Sequence, residues 1–164
     1  MSARLKPGES PRKGLRRIIR GQIDKALDEL ANPTEPAETV HSARKRLKRL
    51  RALLRLARDG MDRATYGREK ERLRDAARPL AEARDAAVLV ATLDHLVERS
   101  SDLGQHEAVA QVRDALLQRK SDATRCALGD GSALDDLAAT LREARDAFSG
   151  DAFRGVTWPV LRAG

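Results

Sequence analysis

The sequence predicts an all-α fold, an antiparallel bundle of about six helices, and three observations carry that prediction. Apolar residues recur every three to four positions through most of the chain, the repeat that lines one face of a helix. Glycine and proline cluster between these periodic runs, where helices end. Of the 164 residues, 35% are charged and only 2% aromatic, with Ala, Leu and Arg dominant, a profile that suits helical bundles. No strand alternation and no internal repeat is evident, and a chain of this length buries a core as one domain.

Residues 1–11 hold two prolines, glycine and serine and are expected to form a flexible basic arm. A first helix is predicted over 12–30, with Leu15, Ile19, Gln22, Ile23, Ala26 and Leu30 inward. Arg12, Arg16 and Arg20 repeat at i, i+4, i+8 and would extend any basic stripe on the next helix. Asn-Pro-Thr-Glu-Pro (32–36) breaks the pattern, with Thr34 as N-cap. The second helix, 36–59, ends at Asp59-Gly60, and a short turn there folds the third helix back antiparallel.

The third helix is expected over 63–78, capped by Asp62, with charges of alternating sign that suit a solvated face. Pro79 is expected to kink or break it, since proline lacks the donor and clashes with the preceding turn. A fourth helix, 81–98, would turn Val88, Leu89, Leu93 and Leu96 inward; a fifth, 105–127, would use Val109, Val112, Leu116 and Leu117. Ser100-Ser101-Asp102 and Gly104 mark the turn between them. After a loop at 128–131, Ser132 and Asp135 resemble a capping box for a sixth helix through Leu134, Leu137, Leu141, Ala144 and Phe148. The domain organisation is thus an arm (1–11), a bundle (12–150) and a tail (151–164) around Trp158, expected to be short helix or coil, loosely packed.

The net charge of +7 is unevenly placed. Residues 41–58 carry eight Lys/Arg and no acid, residues 1–20 carry seven against Glu9, and the remainder is net acidic. Such polarity attracts polyanions. On the second helix Val40, Ala43, Leu47, Leu50, Leu54 and Ala57 share one face, at about 100° per residue. His41, Arg44, Lys45, Lys48, Arg51 and Arg55 form a cationic stripe roughly opposite. A solvated helix face normally mixes signs. Here like charges at i and i+4 repel without local relief, which points to a ligand that neutralises them.

The stripe spans roughly 21 Å at 1.5 Å per residue, and arginine forks and lysine ammonium groups match phosphate oxygens. No aromatic residue lies in either basic segment, whereas single-stranded nucleic-acid binders need stacking platforms. Duplex readers usually add Asn, Gln or Ser to a groove helix. The chemistry therefore favours phosphate without bases, with non-specific duplex DNA as the alternative. No nucleophile elbow or phosphate loop is present. The three histidines, His41, His95 and His106, sit on different predicted helices without metal-ligand spacing. Neither metal nor other cofactor is expected. The lone Cys126 reads as a small helix residue, compatible with a reducing cytosol. No run of apolar residues is long enough for a bilayer, and the N-terminus lacks the apolar middle of a signal peptide.

The residues Val40-His41, Arg44-Lys45 and 48–56 (KRLRALLRL), followed by Leu80-Ala81-Glu82-Ala83-Arg84-Asp85 and Val88-Leu89, resemble the signature of the CHAD (conserved histidine α-helical domain) family over about residues 12–150. Ala81 stands where that family often has glycine. The resemblance implies a helical fold, inorganic polyphosphate as ligand, no catalytic activity, and a cytoplasmic place at polyphosphate granules. On that reading His41, Arg44, Lys45, Lys48, Arg51, Arg55 and Arg84 bind polyphosphate, while Asp85 pairs with an arginine of the basic helix or caps the turn after Pro79. Family members typically contain two such halves around a shared positive groove. One half is found here, so either a homodimer rebuilds the groove, the favoured reading, or a single half binds more weakly. The competing readings are a nucleic-acid-associated protein, a phosphohydrolase or metal-dependent enzyme using His41, and a bundle whose basic face docks an acidic protein.

Overall fold

A computed structural model describes residues 4–33, 35–100, 102, 106–129 and 132–163. Among these are six α-helices and no strand: α1 (Pro11–Ala31), α2 (Pro36–Ala57), α3 (Arg63–Arg99), α4 (Glu107–Leu128), α5 (Ser132–Ala147) and α6 (Trp158–Ala163), with a 3₁₀ turn at Arg58–Gly60 between α2 and α3. The expected all-α bundle is present, with its helices partitioned differently. The predicted third and fourth helices are one, and the tail supplies the sixth.

α1, α2, the first part of α3 and α5 form a ring, each packed on the next, with α5 closing back onto α1. The inward residues predicted for α1 and α2 are all buried. With Leu73 and Leu80 of α3 and Leu141 and Phe148 of α5 they make one core. Asp62 caps α3 as expected, its carboxylate accepting the Thr65 amide at 2.8 Å. Glu35 occupies the N-cap of α2 without a side-chain bond. The expected cap Thr34 and the turn residues Ser101 and Gly104 lie outside the described residues, as does the side chain of Ser132.

Pro79 does not break the chain into two helices; α3 runs through it for 37 residues, about 55 Å at 1.5 Å each. The lost backbone bond costs about 3 kcal/mol. Packing offsets it: Leu80, Ala83 and Ala86 are buried just beyond, and Pro79 lines a small recess shared with the end of α4 and the start of α5. α2 has only 22 residues, so the far part of α3 outruns the ring and pairs with α4. This corrects the expected inward faces. Val88, Leu89, Leu96 and Val112 are exposed, and α4 buries only Ala127 among its described residues. Cys126 lies on α4, exposed.

The tail is not loosely packed. Phe153 and Val156 are fully enclosed, and the rings of Phe148 and Phe153 stack at 5.8 Å. The Gly155 amide donates to the Gly60 carbonyl at 3.0 Å. A Cβ on Gly155 would come within 2.9 Å of that oxygen, so the turn after α2 and the tail approach through two glycines. Trp158 stays exposed. At the other terminus, residues 4–10 lie along α1: Leu5 covers Gly14, and Arg17 donates to Glu9 and to the Arg4 carbonyl.

Phe153→Ala should cost about 3–5 kcal/mol in denaturant unfolding, as expected for a buried aromatic, whereas Trp158→Ala should change stability by less than about 0.5 kcal/mol. The Arg17 guanidinium, together with the Lys6 amide, holds Glu9 at about 2, below its ordinary 4.5. The folded-state value is depressed, so the arm's attachment is fully present above about 4.5 and is lost as pH falls through about 2. Amide exchange at residues 5–9 should rise across that window while the α2 core stays protected; exchange unchanged down to pH 2 would show the arm held by something else.

Candidate functional site

The site is built on α2, whose orientation is set from both sides. Its apolar face is buried from Val40 to Ala57. On its α1 edge, Arg46 pairs with Glu29 and donates to Gln22 Oε1 at 3.3 Å, while the Ser42 hydroxyl donates to Glu29 at 2.7 Å. The Arg46 guanidinium lowers the Glu29 carboxyl below its usual range and is itself raised. Arg58, at the helix end, is held by Asp59 at 2.8 Å. Arg46 is thus structural, whereas the Arg58–Asp59 pair is exposed and contributes little. The other cations of the segment, Arg44, Lys45, Lys48, Arg49, Arg51 and Arg55, are exposed, and none has an ion pair among the described residues.

The stripe does not point straight outward. Arg44, Lys48 and Arg51 lean over the seam between α2 and α3, where Arg74 and Arg78 face them from α3. Together they line a recess of about 380 Å³ floored by Ala77 and Ala81, with no carboxylate in its lining. The alanines matter: larger side chains there would fill the groove. Arg74 also contacts Asp75 at 3.1 Å, an exposed pair that raises the arginine further and contributes little to stability.

His41 and Arg84 are brought together, but in a second recess of about 560 Å³ at the start of α2. Its lining includes Glu29, Glu38, Thr39 and Ser42, so charge there is mixed. Lys45 and Arg55 are exposed and line neither recess. The expected role of Asp85 is not found. It is exposed and bonds to no described residue, and because α3 is continuous there is no turn after Pro79 to cap. Arg12 and Arg16 do not extend the stripe either. Arg12 pairs with Asp151 at 2.6 Å, and both donate to the Gly150 carbonyl, tying α1 to the segment after α5.

Arg74 and Arg78 escaped the sequence reading because they sit among acids in a run of alternating sign. Their one signal was spacing: four apart, they share a face. Only the antiparallel return at Gly60 shows that this face meets α2. Among the described residues no three His, Cys, Asp or Glu side chains gather as a metal site, and no helix is long and apolar enough to cross a membrane.

Compared with known proteins, the chain matches the family model of the CHAD domain over residues 17–157. Nothing among curated proteins or solved structures matches it. The matched span takes in every residue of both recesses, from Glu29 to Arg84, and the ring helices apart from the first turns of α1; the chain belongs to the CHAD domain family.

Proposed function

We propose that this protein binds inorganic polyphosphate through the α2/α3 groove and acts as a binding module, not an enzyme. The observation that carries this reading is the convergence of Arg44, Lys48, Arg51, Arg74 and Arg78 on one recess whose lining holds no acid. Like charges crowded this way repel, and a phosphate chain relieves them with charge-assisted hydrogen bonds. The family is associated with polyphosphate binding, which supports the same ligand. His41 and Arg84 take the chain onward at one end, while Lys45 and Arg55 flank it. The groove lining has neither an aromatic ring for bases nor an amide for base edges, so nucleic acid is the weaker ligand. A cytoplasmic place at polyphosphate granules follows from this ligand.

We also propose a homodimer that sets two such grooves side by side. The exposed Val88, Leu89, Leu96 and Val112 on the projecting α3–α4 pair supply apolar surface for a two-fold contact.

Arg44→Glu with Lys48→Glu should weaken polyphosphate binding by at least about a hundredfold, as expected for two charged hydrogen bonds removed, with helicity unchanged. Arg74→Glu with Arg78→Glu should do the same; full affinity in that variant would remove α3 from the site. In the unsubstituted protein, affinity should fall steeply with salt, and each lost cation should lower that slope by about one. Light scattering should report a dimer, and a monomer at high concentration would end that part of the proposal.

A further inference from the structure

We infer that the outer face of α1 is a second phosphate-binding surface, so that each chain offers polyphosphate two separate faces; this rests on the phosphate-binding reading above. Lys13, Arg16, Arg17 and Arg20 recur at i, i+3, i+4 and i+7 and, with Gly21 and Asp24, line a recess of about 430 Å³. The acids nearby are already engaged. Asp24 accepts from Arg145 of α5 at 3.2 Å, Glu9 is held by Arg17, and Asp151 by Arg12 and Arg154. Lys13 and Arg20 are exposed, and neither bonds to a described residue. Arg16 gives the Gly150 carbonyl one contact at 3.4 Å, which leaves most of its five N–H donors for a ligand. Cations are in surplus here, as in the groove.

This surface does not continue the groove. Arg46 of α2 reaches Gln22 and Glu29, which marks the edge of α1 that faces α2. At about 100° per residue, Lys13 and Arg20 lie roughly half a turn round from that edge. On α2, Ser42 and Arg46 mark the edge facing α1, and Arg44, Lys48 and Arg51 lie roughly half a turn from them. The α1/α2 seam, with Glu29 in it, separates the two basic faces. A phosphate oligomer too short to span the seam therefore binds twice, once on each face. A long chain is held at both, or joins one protein to the next.

The test uses tripolyphosphate with the full chain, read by calorimetric stoichiometry and by amide shifts. Two ligands per chain are expected, with one set of shifts around residues 13–21 and another around 44–51 and 74–78. Lys13→Glu with Arg20→Glu should remove the first set and leave one ligand in the groove, with the helical circular dichroism unchanged. Arg44→Glu with Lys48→Glu should do the reverse. One ligand in the unsubstituted protein with shifts confined to residues 44–51 and 74–78, or two ligands in the Lys13/Arg20 variant, overturns the α1 surface. Shifts confined to residues 13–21 would instead overturn the groove and leave the α1 surface standing.

Discussion

The structure depends on how α2 is rotated about its own axis. Thr39, Val40, Ala43, Leu47, Leu50, Leu54 and Ala57 are buried along one side, and the apolar area they remove from water is the main force holding the helix down. Successive residues turn by about 100°, so fixing that side also fixes where Arg44, Lys48 and Arg51 point. A slip of one residue would drive cations into the core, and an unpaired buried charge costs far more than any surface pair returns. Arg46, which lies between the two faces, is matched by partners on α1. Packing and electrostatics thus specify the same rotation.

The length of α3 follows from having two roles. Its first part lies antiparallel to α2 and brings Arg74 and Arg78 to the groove. Its second part brings Arg84 to the recess beside His41 and pairs with α4. Pro79, near the junction, is tolerated because Leu73 and Leu80 are buried on either side of it. The groove's register against α2 is fixed at the turn, where Gly60 and Gly155 approach within a backbone hydrogen bond. Val156 packs against Gly60, so the tail, though far in sequence, braces the hinge of the site.

Much of this was legible in the sequence where a single helix decided the outcome. The buried faces of α1 and α2, the Asp62 cap and the exposed row from His41 to Arg55 follow from periodicity and side-chain chemistry alone. What stayed hidden depends on pairing between segments. Val88, Leu89 and Val112 have the spacing of core residues, yet they are exposed because α2 is too short to reach them. Phe153 and Val156 lie in a stretch without periodicity, so their burial had no local sign. Arg74 looked like one member of a solvated row of alternating sign until α3 was laid against α2. His41 and Arg84, far apart in sequence, share a recess in which Glu38 and Glu29 stand beside them, which separates that pocket in character from the acid-free groove.

The groove is an arrangement of phosphate-matching cations with nothing to read or stack a base. What the groove discriminates is therefore ligand class, and a competition measures it directly. Long-chain polyphosphate bound to the protein should be challenged with duplex DNA of equal total charge at fixed ionic strength. Polyphosphate should hold its place against a large excess of DNA. Displacement at equal charge would mean that the basic face responds to charge density alone, and the assignment to polyphosphate would fail.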